Sequence, residues 1–160
     1  MPVTVLYPED RQVPDLDLER EIFGQEVRLV RRTEQRLAEL DPSDCAAVDG
    51  LMIMRHAVSA EDMARFPRLR AIVRMGVGYD KIDRAAAARN VLVCNVPDYG
   101  TTEVADHAMA LALSLRRGVV FYHERMRASP PAPWGVVKNE LIRRLGVQTF
   151  GIVGLGRIRS

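Results

Sequence analysis

Residues 69–94 read LRAIVRMGVGYDKIDRAAAARNVLVC and contain two apolar runs, separated by a loop and an alanine-rich stretch. The runs at 69–73 and 91–94 predict β-strands, and the alanine-rich stretch at 83–89 predicts a helix between them. The loop contains two glycines that lie one residue apart. A strand, a helix and a second strand in this order are typical of a parallel βαβ unit.

The chain before this unit repeats the same alternation of strands and helices. The run LMIM at 51–54 is continuously apolar, as expected for a parallel strand that is covered on both faces. Five strands with intervening helices predict an α/β fold, a doubly wound parallel sheet over residues 1–99. The other predicted elements are strands at 3–7 and 27–30, helices at 15–23 and 33–40, a turn at 41–43, and a helix that Ser59 caps and that ends before Pro67.

The chain after residue 99 is predicted to be organised differently. Thr101 or Thr102 can cap a long helix, which we expect over residues 100–127. A proline-rich linker and a short helix are predicted over 128–147, and residues 148–160 are predicted to begin a second domain. Within these segments, the linker prolines lie at 130–133. The short helix is predicted at 139–145 and a strand at 148–153.

Composition and charge exclude several classes of function. The 160 residues are 48% hydrophobic, enough for one buried domain and a fragment, and 23 basic against 21 acidic residues give a net charge of +2. This balance indicates no nucleic-acid partner. Cys45 and Cys94 lack metal-ligand spacing, so we expect no metal and no disulfide. No apolar run reaches the roughly 20 residues that cross a bilayer, and no signal peptide is evident, so we expect a soluble cytoplasmic protein without a membrane partner.

The glycine loop follows the fourth predicted strand, at the sheet edge where open α/β sheets bind ligands. Gly76 and Gly78 allow successive backbone N–H groups to converge on an anion, and Arg74 supplies a two-pronged donor for a carboxylate. The loop is therefore a candidate binding site for a small acid. On the spacing alone an alternative stays open, in which the glycines only permit a tight turn and Arg74 pairs with a neighbouring carboxylate.

The histidines are weaker candidates. His56, or Arg55 beside it, follows the third strand and can line the same edge, but a polar residue at a strand end is more often a solvated loop residue. His107 lies near the start of the long helix, where a histidine with a local partner is the commoner case. His123 is expected on the surface.

The C-terminal residues begin a second motif. The apolar run at 150–153 is followed by Gly154-Leu155-Gly156, which is typical of a strand turning into a phosphate-facing helix. The third glycine position of such a fingerprint is Arg159. The dinucleotide site is therefore expected to be begun but not completed.

Four motifs occur along the chain, namely RMGVGYDKID at 74–83, VCNVPDYG at 93–100, TEVADH at 102–107 and GIVGLGRI at 151–158. Each motif alone is weak, but four at compatible separations are specific. In this order they resemble the D-isomer-specific 2-hydroxyacid dehydrogenases, above all the branch that includes the C-terminal-binding proteins. The match runs from about Leu51 to Ile158.

The resemblance implies a flavodoxin-like substrate domain, a long linking helix and a Rossmann domain, of which only the first strand is expected here. It implies NAD or NADP as the cofactor, and a small 2-hydroxy or 2-keto acid as the substrate. The resemblance implies that the substrate carboxylate is bound by the backbone of Gly76, Val77 and Gly78, and that Arg74 assists in binding it. Cofactor contacts are implied for Val104, Gly154 and Gly156.

The resemblance also implies that the catalytic arginine, glutamate and histidine of the family lie beyond the chain end. We therefore expect no catalytic residue in the chain, and we expect a truncated form that is inactive and does not bind the cofactor alone. Lys81 stands where the family usually has asparagine, a change that we expect to be mild.

Two other interpretations are kept. In the first, the chain is a non-catalytic binding or regulatory fragment like a C-terminal-binding protein, and the apolar face of the long helix drives self-association into a homodimer. In the second, it is a receiver-like phosphoacceptor domain with Asp10 after the first strand. This second interpretation is disfavoured because Met54 and Arg55 stand where an acidic residue is needed.

Overall fold

The computed structural model describes residues 2–8, 15–34, 36–88, 90–128 and 135–158. The chain divides into two compact units, Met1–Tyr99 and Gly100–Ser160. The first unit contains a parallel sheet with helices, and the second is helical at its start and irregular toward its end. Several predictions lie outside the described residues, namely those on Asp10, the prolines at 130–133 and Arg159.

The first unit is built on a five-stranded sheet in which every neighbouring pair of strands is parallel. The strand order is β2-β1-β3-β4-β5, which is the flavodoxin-like order. The predicted doubly wound α/β fold is therefore confirmed. The strands are β1 Val3–Tyr7, β2 Val27–Arg31, β3 Gly50–Ile53, β4 Ala71–Arg74 and β5 Leu92–Asn95.

Helices connect the strands and cover the sheet. Those of the first unit are α1 Asp17–Phe23, α2 Pro42–Ala46, α3 Ala60–Ala64 and α4 Arg84–Ala87, with 3-10 turns at Gly24–Glu26 and Leu37–Glu39. The core lies on the central strands, where Leu6, Leu51 and Ile72 are fully buried. By contrast, Leu92 on the edge strand β5 is 72% exposed. The sheet is thus most firmly packed at its centre.

Asp49 joins the amino ends of three strands. Its carboxylate accepts the Thr4 N–H at 2.9 Å and both Nε and Nη2 of Arg68, and its backbone carbonyl accepts the Arg70 N–H at 2.8 Å. The pKa of the Asp49 carboxyl is lowered, chiefly by the Thr4 N–H and then by Arg68, although burial opposes the shift. This buried carboxylate therefore stabilises the sheet at the edge opposite to the glycine loop.

The predicted helix at 33–40 and the predicted turn at 41–43 are wrong. The structure has a single 3-10 turn at Leu37–Glu39, and α2 begins where the turn was expected. The reason is local, because the Asp41 side chain accepts the Ser43 N–H at 2.8 Å and Pro42 occupies the first helical turn. Both features initiate a helix rather than a turn. The Ser59 cap of α3 is confirmed, with Asp62 completing a capping box.

The second unit differs from the prediction at several points. The single helix expected over 100–127 is interrupted at Gly118 and forms α5 Thr101–Arg117 and α6 Val119–Arg127. Gly118 has φ 65°, in the left-handed region that ends a helix. Gly100, not Thr101 or Thr102, is the N-cap residue, and no side chain caps α5. The helix expected at 139–145 is replaced by a turn and a 3-10 helix at Leu145–Val147.

The strand expected at 148–153 does not form. These residues are irregular and mostly exposed, and none of the described residues pairs with them as a strand. The strand prediction is therefore wrong: apolar side chains at Phe150, Ile152 and Val153 favour a strand, but a strand also needs a neighbour that accepts its N–H groups. Among the described residues, no helix has both the length and the apolarity required to cross a membrane.

Candidate functional site

The loop between β4 and α4 lies at the carboxyl edge of the sheet and is held by β3 at its start. The Met75 N–H donates to the Ile53 carbonyl at 2.8 Å, which extends the pairing of β3 with β4 by one residue. The Gly76 N–H donates to the Arg74 carbonyl at 2.8 Å, so the chain turns sharply at Met75. The loop therefore leaves the sheet immediately after Arg74.

Strand β5 holds the middle of the same loop. The Val96 N–H donates to the Gly76 carbonyl at 3.1 Å, and the Asn95 side-chain Nδ2 donates to the Val77 carbonyl at 2.8 Å. Sequence reasoning missed Asn95. The available signal was a polar residue at the end of an apolar strand on the ligand-binding edge.

The end of the loop is held by the connection after β3. Val58 and Ile82 form an isolated parallel bridge. The Val58 N–H donates to the Lys81 carbonyl at 3.0 Å, and the Val58 carbonyl accepts the Asp83 N–H at 2.9 Å. The loop is thus attached at both ends and in the middle, so its backbone geometry is set before any ligand arrives.

The Arg74 guanidinium folds back onto Gly76. A Cβ atom on Gly76 would collide with Arg74 Nη1 and would lie 3.1 Å from Cζ. Nη1 is buried and has no hydrogen-bond partner among the described residues. The alternative in which Arg74 pairs with a neighbouring carboxylate is therefore not observed among them. A buried donor without an acceptor is costly, so a small rotation of the guanidinium toward an anion at the loop, which would supply the acceptor, is favourable.

The backbone N–H groups of Val77 and Gly78 follow Gly76 directly in the sequence. Within the described ranges, neither the Val77 N–H nor the Gly78 N–H donates to a protein acceptor. Val77 is 51% exposed and Gly78 is also exposed, so the loop is open to solvent at these two residues. An arginine and two free backbone N–H groups form a donor set for a small carboxylate.

The other sequence candidates do not join this set. The Nε2 of His56 lies 3.0 Å from the backbone carbonyl oxygen of Glu34, beyond β2, which is a structural role. Arg55 is exposed and takes part in other interactions within the protein. His107 and His123 are exposed on α5 and α6 of the second unit.

The residues implied as cofactor contacts lie in the second unit. Val104 is half-exposed in the first turn of α5. Gly154 has φ 102°, and an added Cβ at Gly154 or Gly156 would meet nothing within 4 Å. Residues 151–158 are exposed, and Arg157 and Ile158, the described residues after Gly156, lie in a turn. A pyrophosphate site of this type also needs a helix N-terminus, which the described residues do not include.

Comparison with known families identifies the family of the chain. The profile of the family described as "D-isomer specific 2-hydroxyacid dehydrogenase, catalytic domain" matches residues 13–152. This match covers most of the chain. The chain therefore belongs to the D-isomer-specific 2-hydroxyacid dehydrogenase family.

Two relatives that are at least 30% identical to this chain are glyoxylate/hydroxypyruvate reductases. Glyoxylate/hydroxypyruvate reductase B of Escherichia coli K12 is 33% identical over 164 residues, which cover 98% of this chain and 48% of that protein. The NADPH-dependent glyoxylate/hydroxypyruvate reductase of Sinorhizobium meliloti, solved with NADP and malonate, is 30% identical with a TM-score of 0.71, covering 99% of this chain and 48% of that one. The chain spans about half the length of the curated relatives it matches.

A more distant relative bears on the fold alone. The D-lactate dehydrogenase of Aquifex aeolicus, solved with NAD and lactic acid, is 18% identical with a TM-score of 0.70. The alignment covers 88% of this chain and 40% of that one. Solved relatives thus contain NAD in one case and NADP in another.

Proposed function

We propose that this chain provides the carboxylate-binding part of an NAD- or NADP-dependent D-2-hydroxyacid dehydrogenase, an oxidoreductase that acts on small 2-keto or 2-hydroxy acids. The observation that carries the proposal is the buried, unpartnered Nη1 of Arg74 beside the Gly76–Gly78 loop. Membership of the family supports it. The names of the two nearer relatives favour glyoxylate and hydroxypyruvate as substrates.

The proposed role of the loop is to fix the acid by its carboxylate. Arg74 forms a charge-assisted hydrogen bond to one carboxylate oxygen, and the Val77 and Gly78 N–H groups donate to the carboxylate from the loop. Anchoring the carboxylate holds the adjacent carbonyl carbon in one orientation, which is the contribution that positioning makes to catalysis. No step of the reduction itself is assigned to these residues.

The test is the affinity of the chain for malonate, a dicarboxylate that the enzyme cannot reduce. Arg74→Gln removes the charged donor, and loss of a charged hydrogen bond of about 1.5–3 kcal/mol predicts affinity lower by roughly 10-fold to 100-fold. Arg70→Gln is the matched control, because Arg70 precedes the same strand at its opposite end. Calorimetric titration that shows equal affinities for the two variants would contradict the proposal.

Residues 148–160 are proposed to begin the nucleotide-binding domain, with Gly154 and Gly156 in its pyrophosphate turn and Val104 against the cofactor. Since the described residues do not form that site, we propose that the 160-residue polypeptide assayed alone does not turn over. The assay is NADH oxidation with glyoxylate, pyruvate and hydroxypyruvate. Turnover above the rate in buffer would overturn this part of the proposal.

A homodimer is proposed from a separate observation. Helix α5 contains no buried residue, and its large apolar side chains are extensively exposed at Val104, Met109, Leu111, Leu113 and Leu115. Of these, Val104, Leu111 and Leu115 are spaced to share one face of the helix, and an exposed apolar face is typical of an interaction surface. The same surface favours the second candidate function, a non-catalytic binding fragment. Sedimentation equilibrium that shows a monomer at all concentrations would contradict both.

A further inference from the structure

The carboxyl end of β5 holds two successive carbonyl groups of the glycine loop. The Gly76 carbonyl accepts the Val96 N–H at 3.1 Å, and the Val77 carbonyl accepts Asn95 Nδ2 at 2.8 Å. One of these bonds comes from the backbone and the other from a side chain. Strand β5 therefore draws both peptide carbonyls to its own side of the loop.

The orientation of these carbonyls determines where the next N–H groups point. In a planar trans peptide the C=O and the N–H of the same unit point in opposite directions. The Val77 N–H shares a peptide with the Gly76 carbonyl, and the Gly78 N–H shares one with the Val77 carbonyl. Both N–H groups are consequently directed away from β5, and neither donates to a protein acceptor within the described residues.

We infer that Asn95 is a positioning residue, which orients the Gly78 N–H toward a bound carboxylate by holding the carbonyl of Val77. Its amide donor is already engaged by that carbonyl, so it acts through the loop and not on the ligand. The inference rests on the proposed function of the loop. It adds a residue of β5 to a site that otherwise consists of Arg74 at the end of β4 and the loop that follows it.

The backbone bond from Val96 makes the expected effect specific to one donor. In Asn95→Ala the Gly76 carbonyl keeps its partner, so the Val77 N–H keeps its direction, whereas the Val77 carbonyl is released. The loss should therefore fall on the Gly78 N–H. A merely structural role of Asn95 would disturb both N–H groups together or neither.

The experiment is an amide-resolved NMR titration of the full 160-residue chain with malonate. In the wild-type chain, malonate is expected to shift the amide signals of both Val77 and Gly78. In Asn95→Ala we expect about tenfold weaker binding and loss of the Gly78 shift, with the Val77 shift retained. Cys94→Ala is the matched control on the same strand, because the Cys94 side chain is exposed and makes no hydrogen bond to the loop.

Asn95→Asp provides a second variant of nearly the same shape. Its carboxylate cannot donate to the Val77 carbonyl and repels it, so binding should fall at least as far as in Asn95→Ala. Wild-type affinity and an unchanged Gly78 shift in both variants would overturn the inference and leave the proposed function standing. Absence of malonate binding to the wild-type chain would overturn both, so the two failures are distinguishable.

Discussion

Arg74 and Gly76 are separated by one residue, on a turn so tight that the guanidinium rests against the glycine. The site therefore depends on the absence of a side chain at Gly76 as much as on the guanidinium of Arg74. The hydrogen at the Cβ position of Gly76 leaves the space that the guanidinium occupies. This close approach, rather than backbone strain, is the reason for a glycine here, because the φ of Gly76 does not lie in the left-handed region.

Gly76→Ala should displace Arg74 without unfolding the protein. The new methyl group collides with the far end of a flexible side chain, which can swing outward, so we expect stability to change by less than about 1 kcal/mol. Malonate affinity should fall about tenfold as the buried donor leaves the loop. Gly135→Ala is the control, since its Cβ would meet nothing within 4 Å. Unchanged affinity in Gly76→Ala would count against the role of Arg74.

Asp49 gives a prediction about stability and pH. The pKa of its carboxyl is lowered in the folded protein by the Thr4 N–H and Arg68, so its contribution is fully present above the unfolded pKa of about 3.9 and is lost as the pH falls from there through the lower pKa of the folded protein. Asp49→Asn should therefore cost about 1–3 kcal/mol near pH 7, and the difference from wild type should shrink toward zero in acid. Urea unfolding across this pH range measures it.

Asp17→Asn is the control for the Asp49 experiment. Its carboxylate is 77% exposed and pairs with Arg20 on the same helix, so its removal should have little effect at any pH. An Asp49→Asn deficit that stays constant from pH 7 into acid would show that charge on Asp49 is not the cause.

At the scale of elements, Gly118 divides the long helix of the second unit. An alanine there would need φ near 65° and would place its Cβ in collision with the Ile142 side chain, which packs against this point. The left-handed conformation alone costs about 1–2 kcal/mol for a residue other than glycine. Tyr122 lies one helical turn further on and its hydroxyl donates to the Val137 carbonyl at 3.0 Å, so the segment at 136–142 contacts α6 at Val137 and at Ile142.

Gly118→Ala should therefore release this segment from α6. The expected result is faster hydrogen exchange at the Ile142 amide, which donates to the Asn139 carbonyl at 3.0 Å in the intact unit. Gly146→Ala is the control, because nothing lies within 4 Å of its Cβ position and it needs no left-handed backbone. Equally slow exchange of the Ile142 amide in both variants would show that the contact between Ile142 and Gly118 does not hold the segment.

The elements also show which sequence signals are sufficient. The continuously apolar run LMIM predicts β3 correctly, because a buried parallel strand needs little more than apolar side chains on both faces. The strand predicted at 148–153 has apolar side chains only at Phe150, Ile152 and Val153 and does not form, since a strand also requires a neighbour. The turn predicted at 41–43 is wrong because the Asp41 side chain accepts the Ser43 N–H and so caps a helix that begins at Pro42.

The candidate site was predictable in part. Glycine spacing and an arginine at a strand end indicated an anion-binding loop, since both depend on local sequence. The bond from Asn95 to the Val77 carbonyl joins residues 18 apart in the chain, and no local pattern contains it. The orientation of the loop donors is therefore a property of the folded sheet.

At the scale of the whole molecule, acid binding and cofactor binding are proposed for different compact units. The first unit contains the carboxylate loop, and the second contains the residues implied as cofactor contacts. The chain spans about half the length of its curated relatives. The reaction is therefore proposed for an enzyme of the family's usual length, and only acid binding is proposed for the described residues.

The most direct measurement is a crystal structure of the chain with malonate and without nucleotide. We predict that one malonate carboxylate lies about 2.7–3.2 Å from Arg74 Nη1 and from the backbone nitrogens of Val77 and Gly78. A complex in which malonate occupies another surface while Arg74 Nη1 stays without an acceptor would contradict the assignment of this loop as the acid-binding site.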